Sequence, residues 1–221
     1  MKVYHKNDNE YITIDFDYDS TSPREWDNLG HMITYNKEYS PDDYDENFID
    51  IVKRLYGSPH INKSSLLVRT EDGTKYVVLP IYIYQHSCVA YSTHSFVGRA
   101  QHAEWDSGLA GIIYASEEEI KAHLGKVSLD NSDIDVVAGI FESECEDYTA
   151  YCNGTMLKWD IYQFADRILE WVDGCGGYVY EDDILSELGI IDLDYEEYLD
   201  VQSFELELHR KEALRHFTGG K

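Results

Sequence analysis

Several segments of the chain alternate between apolar and polar residues with the period of two that is typical of β-strands. In the segment that starts at Glu10, Ile12, Ile14 and Phe16 alternate with polar or acidic residues, which predicts a half-buried strand with an acidic outer face. Further strands are predicted at residues 31–35, 87–94 and 111–116, and a pair of strands on either side of residues 165–167.

The most distinct hairpin signal is Asp72-Gly73 between two β-rich runs, because these residues favour the positive φ angles of a tight turn. Pro80 lacks a backbone N–H, so the second run is expected to lie at a sheet edge or to carry a bulge there. The glycines around Cys175 indicate a bulge or sharp bend at a strand end, and a reactive thiol is the alternative.

Other segments repeat apolar residues at the spacing of a helix. Ser40 and Pro41 have the residue types of a helix start, and Gly57 has that of a helix end, which predicts a helix between them. Ser116 and Glu119 form the pattern of a capping box, which predicts a short helix through residue 124. Shorter signals predict helices at residues 182–188 and in the C-terminal segment.

The longest predicted helix covers residues 131–151. Its expected buried face consists of Ile134, Val137, Phe141, Cys145, Tyr148 and Cys152, and its acidic residues are expected mostly outside. Strands and helices follow one another without regular βαβ alternation, which favours an α+β fold with a mostly antiparallel sheet and flanking helices. We therefore predict one core domain over residues 1–189 and a C-terminal helical segment over residues 190–221.

The composition changes this picture mainly through charge. The chain has 43 Asp and Glu residues against 18 Lys and Arg, a net charge of −25. Such a surface repels nucleic acid and anionic membranes and favours a basic protein partner. The first residues lack the apolar run of a signal peptide, and no stretch has the length of a membrane helix, so a cytoplasmic protein is expected. The four cysteines have no zinc-site spacing and are expected to be small buried residues of a reducing compartment.

The segment "WDSG" at residues 105–108 is the first candidate for chemistry. Ser107 could be a nucleophile if a base and an oxyanion hole lay beside it, but the G-x-S-x-G pattern is absent. The favoured interpretation is a tight turn, with Gly108 at positive φ and Trp105 anchored in the core.

His86, His94 and His102 lie near Asp106 in the sequence and are the second candidate. Imidazole and carboxylate groups can bind zinc, but these spacings match no compact metal motif. We therefore predict no metal and no cofactor, with the three histidines as the only candidate ligands. His86, Asp106 and Ser107 remain the candidate catalytic residues.

The acidic clusters are the third candidate, because rigid rows of carboxylates can imitate the phosphates of nucleic acid. Carboxylates four residues apart on a helix, such as Glu142 and Glu146, lie ~6 Å apart along its axis. A solvated, solubilising surface is the alternative. The predicted partner-binding residues are Asp42, Asp43, Glu46, Asp133, Asp135, Glu142, Glu146 and Asp147.

Five segments occur in an order that resembles a family of uncharacterised small proteins encoded by bacteriophages, plasmids and integrative elements. The segments are "DNLGHM" from Asp27, "LPIYIYQHS" from Leu79, "WDSGLAGIIY" from Trp105, "ESECEDYTAYCNG" from Glu142 and "DGCGGY" from Asp173. The resemblance covers most of the chain up to about Leu188 and implies an accessory protein acting in a bacterial cytoplasm. It implies no catalytic residue.

Three functions follow as hypotheses. The first is an inhibitor of a host defence nuclease or restriction complex, which binds a basic protein surface through nucleic-acid-mimicking carboxylates. The second is a hydrolase or nucleotide-processing enzyme that uses the loop from His86 to Ser107. The third is a non-catalytic adaptor that docks through its C-terminal helix.

Overall fold

The computed structural model describes residues 1–37, 40–63, 66–190 and 194–218. Its elements, in chain order, are β1 (Lys2–His5), β2 (Glu10–Phe16), β3 (His31–Thr34), α1 (Phe48–Tyr56), β4 (Leu67–Arg69), β5 (Lys75–Gln85), β6 (Val89–Ser92), α2 (Ala103–Asp106), β7 (Ser107–Ser116), α3 (Glu117–Leu124), α4 (Asn131–Cys152), β8 (Leu157–Ala165), β9 (Ile168–Tyr178), α5 (Glu181–Glu187), β10 (Tyr195–Glu197) and α6 (Val201–Phe217).

The chain forms two compact units, each built on an antiparallel sheet. The discontinuous unit comprises Met1–Thr21 with Gly154–Lys221, and the continuous unit comprises Ser22–Asn153. Five described strands form each sheet, so the predicted α+β class with antiparallel pairing is confirmed. No helix of the described residues is both long enough and apolar enough to cross a lipid bilayer.

In the continuous unit the strand order is β3-β7-β5-β4, and β6 also pairs with β5. Alternate residues of β7 point to opposite faces of this sheet. Ile113 packs in the core formed with α3 and α4, whereas Ile112 packs in the core formed with α1. Helices therefore cover both faces of the sheet.

In the discontinuous unit the strand order is β10-β1-β2-β8-β9. Ile184 of α5 packs against Ile12 and Ile14 on one face, and Phe204 of α6 packs against Tyr11 on the other. The prediction that β2 is only half-buried is thus wrong, because α6 buries the side of the strand that was expected to face solvent. The boundary predicted after residue 189 falls inside this unit, because β10 pairs with β1 and α6 packs on β2.

Several local predictions are confirmed. Gly73 has a φ of 90° between β4 and β5, and Gly177, with a φ of 87°, is the extra residue of a bulge in β9. Asp166 and Arg167 form the turn between β8 and β9. Pro80 is opposite Ile112 of β7 and has neither β4 nor β6 on its other side, and the register of β5 against β7 shifts between Ile81 and Tyr82, so the predicted irregularity at Pro80 is confirmed.

The helix predicted from Ser40 begins at Phe48 instead, with Asn47 as its N-cap. The Ser40 hydroxyl accepts a hydrogen bond from Thr34 N at 3.1 Å, and Asp42 Oδ2 accepts one from Met32 N at 2.7 Å. These side chains satisfy the backbone donors of the edge strand β3, so they do not cap a helix.

Candidate functional site

The segment at residues 105–108 joins α2 directly to β7. Trp105 is 87% exposed, so its predicted role as a core anchor is wrong. Gly108 lies within β7 opposite Ile83, and the residue with positive φ is His102, at 57°. The prediction of a tight turn at Gly108 is therefore wrong, and the left-handed backbone conformation occurs at His102, just before α2.

This geometry brings part of the predicted catalytic set together. His86 Nδ1 lies 2.9 Å from Asp106 Oδ2, and the His102 ring lies 6.2 Å from the His86 ring. A carboxylate on Nδ1 orients an imidazole for general-base chemistry. The Ser107 hydroxyl, however, donates a 2.6 Å hydrogen bond to the Ala103 carbonyl, so this proton is not directed at His86.

His94 has a separate set of partners, because its Nδ1 lies 3.4 Å from Glu142 Oε2 and 3.2 Å from Thr93 Oγ1. In the part of the chain that the structure describes, no three His, Cys, Asp or Glu side chains are grouped so that they could hold a metal ion. Three of the cysteines, Cys88, Cys152 and Cys175, are exposed, so the prediction that the cysteines are buried holds only for Cys145.

The acidic residues of α4 are largely used inside the protein. Asp133 is buried and caps the helix through Asp130 N at 2.9 Å, and Lys126 contacts its carboxylate. Glu144, also buried, binds the loop before β3. The prediction that these two carboxylates lie outside is wrong, because Asp133 closes the N-terminal cap of α4 and Glu144 satisfies buried backbone donors of the loop before β3.

Glu142 ties α4 to the end of β6. Its carboxylate accepts hydrogen bonds from Ser92 Oγ at 2.5 Å and from Thr93 N at 2.6 Å. Burial acts to raise the pKa of Glu142, but these hydrogen bonds outweigh it and hold the pKa below the ordinary value of 4.5. Glu142 therefore acts as a structural group, and α4 does not present it as part of a continuous acidic row.

Replacing Glu142 by glutamine should lower the free energy of unfolding at pH 7 by about 1–3 kcal/mol, since a backbone donor and a hydroxyl lose a charged acceptor. A lowered folded pKa means that the ionised form stabilises fully above pH 4.5 and that this stability is lost as the pH falls through the folded pKa. The variant should thus lose less stability than the parent below pH 4.5. Urea unfolding across this range measures both effects, and Asp135→Asn, on the exposed side of the same helix, is the matched control. Parallel pH profiles for Glu142→Gln and the parent would contradict this role.

The remaining predicted partner-binding residues do not form one surface. Glu46 forms an ion pair with Arg54 of α1 at 3.2 Å, whereas Asp135 and Glu146 lie on α4, against the opposite face of the sheet. Asp43 is exposed, Asp147 is half-buried, and Asp42 is bound to Arg24.

Arg24 is at the centre of a buried charged cluster formed with Asp42 and Glu144. Arg24 Nε donates to Asp42 Oδ1 at 2.7 Å, and Nη1 donates to Glu144 Oε2 at 2.8 Å. Glu144 Oε1 also accepts hydrogen bonds from the backbone N–H groups of Leu29 at 2.9 Å and Gly30 at 3.1 Å. Burial acts to lower the pKa of Arg24, but the two carboxylates raise it above its ordinary value. Within the "DNLGHM" segment, the cluster thus holds the backbone of Leu29 and Gly30 in place.

Most of the lysine and arginine side chains are paired within the molecule. Each of the following lies within 4.0 Å of a carboxylate: Lys2, Lys6, Arg24, Lys53, Arg54, Lys75, Lys121, Lys126, Lys158, Arg167, Arg210 and Lys211. Because the chain has a large excess of acid, many exposed carboxylates are left for solvent or for an external cation.

One group of these carboxylates lies at the outer edge of the discontinuous unit's sheet. The acidic edge consists of Tyr195 and Glu197 on the edge strand β10 and of Glu181, which contacts Lys2 and Tyr4 of β1 from the start of α5, together with Asp182 and Asp183, which follow Glu181 in the chain. Glu197 is opposite Lys2 of β1, whose Nζ lies 2.6 Å from Glu181 Oε2 and 4.8 Å from the centre of the Tyr195 ring.

The electrostatics of this edge remain acidic despite Lys2. Burial acts to raise the pKa of Glu181, but hydrogen bonds from Lys2 and Tyr4 outweigh it, so the pKa is lowered and the carboxylate stays ionised. Asp182, Asp183 and Glu197 are exposed, and Tyr195 is 46% exposed. The acidic residues of this edge could be read from the sequence, but only the pairing of β10 with β1 brings Glu197 next to Lys2, which is far from it in the chain.

The fold and these sites define an α+β protein with two antiparallel sheets, an exposed His–Asp pair and an acidic sheet edge. No protein-family model matches the chain, and neither a curated protein nor a solved structure matches it.

Proposed function

We propose that this protein inhibits a host nuclease or restriction complex by stoichiometric binding, with its carboxylates occupying a basic nucleic-acid-binding surface. The observation that carries the proposal is the excess of exposed carboxylates over cations, most of which are already paired within the molecule. A basic groove evolved for phosphates attracts such a surface over long range.

The acidic edge is the surface we assign to this contact. Its carboxylates are attached to a strand and to the first turn of a helix, so their backbone positions are ordered before binding, which lowers the entropic cost of association. Tyr195 adds an exposed ring on which an arginine of the partner can stack. The five sequence segments whose order resembles proteins of phages and mobile elements support a role against host defence in the bacterial cytoplasm.

To test this, host proteins are captured on the immobilised full-length chain at about 50 mM and at about 500 mM salt. Contacts that mimic phosphate are much weaker at the higher salt concentration. We expect a basic nuclease or restriction subunit that is retained at low salt and displaced by duplex DNA. Its activity, assayed after purification, should fall to zero at a stoichiometric amount of the chain.

Matched variants locate the surface. Neutralising Asp182, Asp183 and Glu197 together should weaken capture by at least about tenfold. The control neutralises the exposed Glu71, Glu118 and Asp135 of the continuous unit and changes the net charge equally. Equal loss in both triple variants would overturn the assignment to the acidic edge, and the absence of any DNA-displaced basic partner would overturn the inhibitor itself.

The 2.9 Å contact between His86 and Asp106 favours an enzyme as the second candidate, with hydrolysis or nucleotide processing as its class. The same assay separates the two candidates through His86→Ala. If His86→Ala still inhibits the nuclease at the same molar ratio as the parent chain, the result supports inhibition by binding. If the parent inhibits at much less than a stoichiometric amount and the variant does not inhibit, the result supports an enzyme.

A further inference from the structure

A cavity of about 790 Å³ lies in the discontinuous unit. The turn between β1 and β2, the turn between β8 and β9, and the second half of α6 form its walls. Cavities of roughly 300–1,000 Å³ suit small organic ligands. This volume is therefore adequate for a molecule of nucleotide size.

Three cations border this cavity in a chain of strongly negative net charge. Arg215 has no carboxylate within ion-pair distance among the described residues, and Arg167 Nε is 4.0 Å from Glu212 Oε1, the limit of such a contact. Lys211 is bound by both carboxylate oxygens of Glu196, at 2.9 and 3.0 Å. Arg215 is thus free to bind an external anion, and Arg167 would have to give up only this long contact with Glu212, which also borders the cavity.

The backbone and α6 place these cations on two sides of the cavity. Arg167 lies in the tight turn between β8 and β9, where its φ is 69° and that of Asp166 is 50°. Lys211 and Arg215 are four residues apart on α6 and therefore share one side of the helix. Burial raises the pKa of Tyr11, and the charges of Arg215 and Lys211 oppose this rise.

The rest of the lining combines rings with polar groups. The His5 and Tyr11 rings are 5.0 Å apart and edge-on, and Phe164 also borders the cavity. His5 Nε2 is buried without a hydrogen-bond partner among the described residues, 3.8 Å from Glu196 Oε1. Asp8 and Asp166 are exposed in the two turns. Carboxylates here exclude a second anionic group but can accept hydrogen bonds from sugar hydroxyls.

We propose that this cavity binds a nucleoside monophosphate, with Arg167 and Arg215 on the phosphate and the aromatic residues beside the base. Guanidinium groups bind phosphate oxygens in pairs of parallel hydrogen bonds, which a lysine does not do. The site is separate from the acidic edge and does not depend on the inhibitor function.

Isothermal titration of the full-length chain with adenosine monophosphate, guanosine monophosphate, inorganic phosphate and adenosine tests this proposal. We expect a monophosphate to bind at least about tenfold more tightly than either adenosine or phosphate alone, because each of these makes only part of the contacts. Arg215→Ala and Arg167→Ala should each weaken this binding by about tenfold or more, since each removes a charged hydrogen-bond donor.

Arg210→Ala is the matched control, because Arg210 is exposed on α6 and pairs with Glu207 at 3.7 Å away from the cavity lining. It should leave the affinity unchanged, and melting temperatures without ligand should show all three variants folded. The proposal is overturned if neither monophosphate binds, if phosphate alone binds as tightly, or if Arg210→Ala weakens binding as much as the two cavity variants.

Discussion

Replacing Arg24 by alanine should lower the free energy of unfolding of the continuous unit by about 3–5 kcal/mol. The Arg24 side chain is 4% exposed and contacts Asp42 and Glu144, whose side chains are 17% and 7% exposed. Without the guanidinium, two buried carboxylates would lie close together without a cation. The loss is large because removing one partner of a buried charged cluster leaves the desolvation cost of the others uncompensated.

Urea unfolding combined with hydrogen exchange in β3 and α4 measures this loss within the unit concerned. Arg99→Ala is the control, because Arg99 is exposed and its guanidinium lies 5.9 Å from the centre of the Phe96 ring. That variant should change stability by less than about 0.5 kcal/mol. A similarly small change for Arg24→Ala would show that the cluster does not hold β3 against α4.

Replacing Gly111 by alanine should disrupt the pairing of β3 with β7 and destabilise the continuous unit by about 3 kcal/mol or more, as overpacking against backbone does. Gly111 is opposite Thr34 in the sheet. A Cβ at this position would lie 2.0 Å from the Ile33 carbonyl oxygen and 2.7 Å from Thr34 Cα. Backbone atoms cannot rotate away as a flexible side chain can, so the strands must separate.

Gly139→Ala is the matched control for Gly111→Ala. Gly139 is in the interior of α4, and a Cβ there would have no neighbour within 4 Å. The substitution should stabilise the protein by about 0.5–1 kcal/mol, because alanine loses less backbone freedom than glycine in a helix. Thermal unfolding and exchange of the β3 amides distinguish the two variants. Equal stability for Gly111→Ala and the parent would contradict the close approach.

The sequence was most informative where a structure depends on neighbouring residues. Ser116 and Glu119 form the predicted capping box, with Glu119 N donating to Ser116 Oγ at 3.3 Å, and Gly125 ends α3 at a φ of 64°. The hairpin at Gly73 depends equally on adjacent residues. These features could be predicted because their donors, acceptors and dihedral preferences lie within a few residues of one another.

Predictions failed where a partner outside the predicted element, near or far in the chain, decides the role of a side chain. Ser40 and Asp42 have the residue types of a helix start, but β3 offers unpaired backbone N–H groups that bind them instead. Glu144 has the helical position of a solvent-facing acid, yet Arg24, 120 residues away in sequence, makes its burial favourable. No local pattern contains these partners, so no local pattern could have predicted them.

The candidate sites divide in the same way. The sequence by itself determined the large negative charge, most of the strands, the cap at Ser116, and the presence of His86, Asp106 and the acidic segments, because these depend on composition and on local periodicity. Only the tertiary structure decided which carboxylates are used internally, that His86 meets Asp106, and that β10 and α6 join the N-terminal strands to form the acidic edge and the cavity. The physical reason is that burial and pairing belong to contacts between segments far apart in the chain, and such contacts exist only once the sheets have formed.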